Sequence, residues 1–406
     1  MNDQHTAPVL PVERVRQLDI IRGFALFGIL LANMPFFASP VVYQMLLDGS
    51  MWTDQVSRGA EWTIQFIASS KFFTMFSFLF GLGFILFLDR AREKTAKPQS
   101  LFLRRLVFLL AIGIVHAFGI WFGDILVIYA ITGLFLLLFY RREAKTCLYW
   151  AFGLLALPVV FLSLGALALY MTGEGFAQPE QSIAMYEQMV EQSIAAYGSG
   201  SFGEIMNQRT ADYWFMFSNY LFMAPMILAM FLFGVYAAKS KMHTNIKEYL
   251  PFFKKVWVIT LIIGLPVNFL YVNSYFEQGS DITYHSLLMP AASTIAGPAL
   301  CFFYITSLIL LYQSRSGKWL LNPLRAVGRT ALSNYLLQSI VCTLIFYNYG
   351  FGLYAELEPI YWIVIAVVLF AFQILISNWW VARFRFGPAE WLWRSLTYSS
   401  RQSFRN

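Results

Sequence analysis

The chain has 406 residues, 58% of them hydrophobic and only 13% charged, which excludes a water-soluble globular domain. Its net charge of +7 would suit an anionic partner. All but four of its 29 lysines and arginines, however, fall in alternate loops or at their edges, the exceptions being Arg22, Arg58, Lys71 and Arg209. That distribution excludes nucleic-acid binding and points to a membrane topology.

One crossing needs about 20 apolar residues to cover roughly 30 Å of hydrocarbon. Ten spans are read near 18–38, 66–88, 101–120, 122–140, 146–170, 213–238, 253–273, 286–312, 330–349 and 359–382. The expected fold class is an all-α, polytopic transmembrane helix bundle, because a lipid-embedded backbone must satisfy its own hydrogen bonds. The basic loops put both termini in the cytoplasm. The expected organisation is a cytoplasmic segment at 1–17, a membrane domain at 18–384 with an external segment at 171–212, and a cytoplasmic amphipathic segment at 385–406.

The first apolar run follows a 17-residue segment without a long apolar stretch and carries Asp19 and Arg22, unlike a signal peptide. These two lie one turn apart and can pair on one helix face, or can meet an anionic group such as a phosphate from the cytoplasm. Asn33 adds a polar group toward the outer end of this span. Residues 54–69, with Trp52 and Trp62, suit the outer interface before the second span turns inward. Lys71 opens that second span. It can snorkel to the interface or bind a polarised oxygen.

The third span runs outward and the fourth returns, which sets His116 and Asp124 at similar depth, with Gly119 and Gly123 between them. Ionisable groups at membrane depth persist where they pair, face water or do chemistry. Asp124 can fix the tautomer of His116 and make it a general base; a buried pair that only specifies packing is the alternative. Inside the external segment, Gln181 to Tyr197 predicts a short interfacial helix, either a lid or a spacer. His285 and Asn268 sit near the outer ends of later spans.

In the ninth span Arg329 marks the cytoplasmic start, and Thr330, Asn334 and Gln338 are four apart and share a face. Such a stripe glues helices or lines a channel. Cys147, Cys301 and Cys342 read as apolar fillers. No metal-ligand spacing occurs, so no metal is expected.

Five stretches resemble the YeiB family of bacterial inner-membrane proteins: LDIIRGFALFGILLAN at 18–33, KFFTMFSFLFGLGF at 71–84, HAFGIWFGDIL at 116–126, GRTALSNYLLQS at 328–339 and GPAEWLWRSLTY at 387–398. That family is similar to transmembrane acyltransferases, which share the opening Asp-x-x-Arg-Gly pattern, here Asp19, Arg22 and Gly23. The resemblance implies a multi-pass protein of the bacterial inner membrane among membrane lipids. It also implies transfer of an acyl group from cytoplasmic acyl-CoA, a co-substrate rather than a permanent cofactor, to an extracytoplasmic sugar, glycan or lipid. On that expectation Arg22 and Arg329, with Asp19, Asn334 and Gln338 along the route, serve donor binding. His116 with Asp124 then acts on the acceptor, and Lys71 or Asn33 stabilises the oxyanion. A solute transporter and a non-catalytic scaffold are the alternatives, and a homo-oligomer is left open.

Overall fold

The computed structural model describes residues 16–47, 50–93, 95–173 and 175–405. Most of the expected segment 1–17, with Arg14, and also Lys94 of the first basic loop, lie outside the described residues. Among the described residues sixteen helices follow in order: α1 (Arg16–Ala38), α2 (Val41–Gln44), α3 (Gln55–Ile67), α4 (Lys71–Arg92), α5 (Pro98–Gly119), α6 (Leu126–Phe139), α7 (Ala144–Thr172) and α8 (Glu180–Ser199). Then come α9 (Phe202–Lys239), α10 (Leu250–Phe276), α11 (Tyr284–Leu311), α12 (Arg315–Leu321), α13 (Leu324–Arg329), α14 (Ala331–Phe346), α15 (Pro359–Arg383) and α16 (Pro388–Tyr398). No strand occurs among the described residues, only two isolated bridges, Phe176 to Ile282 and Phe384 to Arg405.

Each of the ten expected spans has its helix. Eight helical stretches are long and apolar enough to cross a bilayer, and α6 and α14 are shorter apolar helices of 14 and 16 residues. At 1.5 Å per residue these two reach only about 21 and 24 Å, short of a full crossing. Ahead of α6 the depth is made up by non-helical backbone at 120–125. Such backbone is tolerated at membrane depth only when protein covers it. Here Trp121, Phe122 and Asp124 are all buried.

Two boundaries differ from the sequence reading for local reasons. The segment 54–69 forms α3, which Asp54 caps by accepting from Ser57 N at 2.9 Å, and Ser70 at φ +66° breaks it from α4. The second span therefore begins at Lys71. Helix α9 starts at Phe202 rather than near 213, because Ser201 and Glu204 form a capping box ahead of it. The expected external helix is present as α8.

The basic loops share one end of the bundle, here the basic face, and α8 lies at the opposite face. Helix α1 packs on α13, α14 and α15, α4 packs on α9, and α10 and α11 pair beside α7. At the basic face α1 and α13 meet through glycines. A Cβ at Gly328 would lie 1.8 Å from the Asp19 carbonyl oxygen, and one at Gly23 would lie 2.2 Å from that of Leu324. Small residues of this kind let helix backbones touch.

Candidate functional site

His116 is in the last turn of α5 and Asp124 stands just before α6. The two helices close to this distance because position 113 has no side chain: a Cβ there would be 2.8 Å from Val127 N and 3.1 Å from Asp124 Oδ1. Asp124 Oδ1 accepts from Val127 N at 2.7 Å, tying the carboxylate to the first turn of α6. Its other oxygen, Oδ2, lies 2.8 Å from His116 Nδ1. The expected pair thus forms, and both side chains are fully buried.

The other imidazole nitrogen has a partner that the sequence reading missed. Ser339, on α14, places its Oγ 2.9 Å from His116 Nε2 across 223 residues of chain. With Asp124 accepting at Nδ1, that nitrogen carries the proton, and the Nε2 lone pair receives the Ser339 hydroxyl. Serine, imidazole and carboxylate thereby stand in the order and at the spacing of a nucleophile, its base and the group that orients the base. Around them, Tyr335 lies 5.0 Å from the imidazole and donates to Gly123 O at 3.3 Å. Trp121 stacks on Phe37 at 3.8 Å, and its indole Nε1 is buried with no hydrogen-bond partner. The Trp121 ring lies 6.3 Å from that of His116.

Lys71 is fully buried, but the structure does not bring it to the pair. Its Nζ donates to Gln65 O at 3.0 Å and sits 5.5 Å from the Tyr271 ring centroid, so the ammonium serves the α3 turn and α10. Asn268 donates to Phe66 O at 3.0 Å on the same side. Asn33 is half-buried on α1 and is a partner of neither His116 nor Asp124.

The polar stripe of α14 joins helices. Asn334 Nδ2 donates to Thr330 Oγ1 and Ser377 Oγ, each at 2.9 Å. Gln338 Nε2 donates to Gln373 Oε1 at 2.8 Å, and Gln373 returns a bond to Asn334 O at 2.9 Å. Gln338 also reaches Leu26 O at 3.3 Å, so α14, α15 and α1 are stitched below the triad.

At the basic face, Arg22 Nη1 donates to Asp19 Oδ1 at 2.8 Å, as its spacing implied. Arg329 reaches Arg385 O at 3.4 Å and lies in the field of both Asp19 and Arg325. Among the described residues the second Asp19 oxygen and the Nε atoms of Arg325 and Arg329 are buried without partners. This cluster is therefore electrostatically unfinished where the triad is complete. His285, at the start of α11, lies 3.4 Å from Ser274 Oγ.

A further buried centre at the opposite face also escaped the sequence reading. Asp212 accepts from Tyr43 and Tyr197, each at 2.5 Å, and from Gln208 at 2.7 Å. Neighbouring Arg209, 1% exposed, donates to Phe118 O at 3.3 Å, two residues along α5 from His116. Asn348 N donates to Tyr197 O at 2.8 Å and Ser193 bonds Tyr354 at 2.9 Å, which roofs the ends of α9 and α14 with α8.

Fold and site define a multi-pass helical membrane protein with a polar centre buried inside the bundle. The family described as a protein of unknown function, DUF418, matches residues 237–400. The chain is 36% identical to the uncharacterized protein YxaH of Bacillus subtilis, with 97% of each chain covered. It is 26% identical to the uncharacterized protein YeiB of Escherichia coli, with 95% of this chain and 97% of that one covered. A 39.9 kDa protein from the amylase 3′ region of Bacillus acidopullulyticus is likewise 26% identical, over 97% of this chain and 96% of its own. The chain belongs to this YeiB/DUF418 family. No solved structure matches it.

Proposed function

We propose that the protein is an acyltransferase of the bacterial inner membrane that moves an acyl group from cytoplasmic acyl-CoA to an extracytoplasmic sugar, glycan or lipid, with Ser339 as nucleophile. The observation that carries this reading is the linked set Ser339 Oγ, His116 and Asp124, at 2.9 and 2.8 Å. Ser339 Oγ attacks the thioester carbonyl, its proton passes to His116 Nε2, and the thiolate leaves with that proton, giving an acyl-serine and free CoA thiol. An acceptor hydroxyl or amine then attacks the ester carbonyl, His116 takes its proton, and the acyl group leaves on the acceptor while the proton returns to Ser339. Trp121, whose ring lies 6.3 Å from the imidazole, is the donor this reading assigns to the tetrahedral oxyanion. Burial away from water favours transfer over hydrolysis.

The arginines of the basic face support a donor that carries phosphates, since guanidinium groups with unpartnered N–H suit them. Ser339 stands about 12 Å along α14 from Ala331, so the thioester end of the donor reaches inward from that face. Purified protein incubated with acetyl-CoA is expected to yield an acetyl adduct at Ser339, detected by peptide mass spectrometry, and a fluorophosphonate probe is expected to label the same residue. Wild-type protein in which neither reagent modifies Ser339 would overturn the assignment.

A further inference from the structure

Between α4, α7, α9, α10 and α11 the bundle encloses a cavity of about 600 Å³, the size of a substantial ligand site. Phe78, Phe152, Phe233, Ile263, Ala299 and Phe302 are among its walls. The threonine hydroxyls that line it turn back onto their own helices: Thr260 to Val256 O at 2.7 Å, Thr294 to Pro290 O at 2.8 Å and Thr306 to Phe302 O at 2.7 Å. Water needs two to four polar partners, and away from Gln17, Tyr236 and His243 at the basic end the lining offers few. Phe152, Ile259 and Ile263 line the cavity yet are about half exposed on the outer surface of the bundle, so it opens sideways into hydrocarbon.

Its end at the basic face has different chemistry. His243 lines the cavity there, and its Nδ1 is buried with no hydrogen-bond partner among the described residues. Burial and the nearby Arg90 hold this imidazole below its ordinary range, so it is neutral and can present one N–H. Exposed Lys241, Lys247, Lys254 and Lys255 alternate with lining residues Met242, Ile246, Phe253 and Val256. The carboxylates in the same region are Asp89 and Glu248, and Glu248 is engaged by Asn245 at 3.2 Å. An apolar chamber reached from the bilayer and rimmed by cations matches one kind of molecule.

We infer that this cavity holds the acyl chains of an anionic glycerophospholipid from the leaflet at the basic face, with its phosphate at His243 and the surrounding lysines. The site is separate from the Ser339 triad and does not depend on the acyl-transfer reading. The full-length protein, purified in detergent and stripped of lipid, is titrated with phosphatidylglycerol and with phosphatidylcholine of the same chains, and adducts are counted by native mass spectrometry. Phosphatidylglycerol is expected to bind about tenfold more tightly than phosphatidylcholine. Ala299→Phe, which fills the chamber, is expected to remove the adduct of either lipid. His243→Ala combined with Lys254→Gln and Lys255→Gln, all outside the packed interior, is expected to erase the preference while chain binding persists. Equal affinity for the two lipids in the wild type overturns the headgroup assignment, and retention undiminished by Ala299→Phe overturns the chamber. Should Ala299→Phe not fold, the His243 and lysine variant decides by itself: an unchanged preference sinks the proposal.

Discussion

The two sides of the bundle are built differently. Around α1, α5, α6, α14 and α15, buried polar groups find one another: Asp124 with His116, His116 with Ser339, Gln338 with Gln373, and Asn334 with Ser377. Around α7, α10 and α11 polar contacts such as Trp257 to Ser307, at 2.7 Å, flank a largely apolar lining that leaves a cavity of about 600 Å³. Lipid tails are as apolar as leucine, so burying apolar surface between helices gains little in a membrane, and packing and hydrogen bonds decide which helices stay together. The stitched side can therefore hold a group of atoms in one geometry. The greasy side gains more from admitting a lipid than from collapsing, and α7, with only Cys147, Ala151, Leu162 and Ala166 buried, is the helix most open to it.

That contrast breaks most sharply at the triad. Ser339→Ala is expected to abolish labelling by the fluorophosphonate probe, and His116→Ala to slow it by about 10²–10⁴-fold, the usual worth of a general base. Asp124→Asn is expected to lower labelling by up to about 10⁴-fold through the wrong imidazole tautomer while leaving the packing in place. A matched melting curve separates chemistry from architecture. If His116→Ala and Asp124→Asn melt early but label normally, the set is a structural clamp.

A smaller effect is expected at Gly113. Gly113→Ala drives a methyl into Val127 N and Asp124 Oδ1, and overpacking of this kind costs about 1–3 kcal/mol. Thermal unfolding in detergent, read together with the labelling rate, checks it. Replacing Gln338 or Asn334 by Leu is expected to cost about 0.6–2 kcal/mol each, the range for hydrogen bonds between membrane helices. A Leu substitution at Thr260, whose hydroxyl bonds only its own helix, is expected to cost less than either in the same melts. Equal losses on the two sides would erase the contrast.

The smallest effect concerns Glu390, which joins α16 to the start of α14. Its carboxylate accepts from Leu332 N at 2.6 Å and from the Ser333 hydroxyl at 2.5 Å, yet burial pushes the carboxyl up. The folded state then holds this proton more tightly than the unfolded chain. The stabilisation is present below the ordinary carboxylate range and is lost as pH rises through the raised folded value. The melting temperature of the wild type relative to Glu390→Gln is therefore expected to fall as the pH rises from the ordinary carboxylate range through neutrality. A constant difference over that range would remove the linkage.

Much of the scaffold was legible in the chain because lipid imposes a length and a polarity on each segment. Ten apolar runs became ten helices, and α8 appeared where mixed helical spacing lay between glycines. The shortness of α6 and α14 was not legible. Hydropathy counts apolar residues without asking whether they are helical, and Ile120, Trp121, Phe122 and Ile125 keep the stretch apolar enough to read as span despite Asp124. His116 and Asp124 stood out because an ionisable residue in an apolar run needs a reason. Ser339 did not, since a serine can satisfy its hydroxyl on its own helix and so is unremarkable in a span. Lys71 illustrates the opposite failure. Matching depth along the membrane normal says nothing about position around the bundle, and its ammonium turned toward Gln65 and Tyr271 instead.

The sequence by itself determined that this chain crosses a membrane many times, where its helices lie, and that His116 and Asp124 can meet. These follow from one-dimensional quantities: the length of an apolar run, the sign of a loop's charge, and the reach of a short hairpin. Only the tertiary structure decided that Ser339 completes the set and that Asp212 gathers Tyr43 and Tyr197. It also decided that a chamber opens between α7 and α10. Those depend on which helices stand side by side, and helix neighbours in lipid are chosen by hydrogen bonds and shape between residues far apart in the chain.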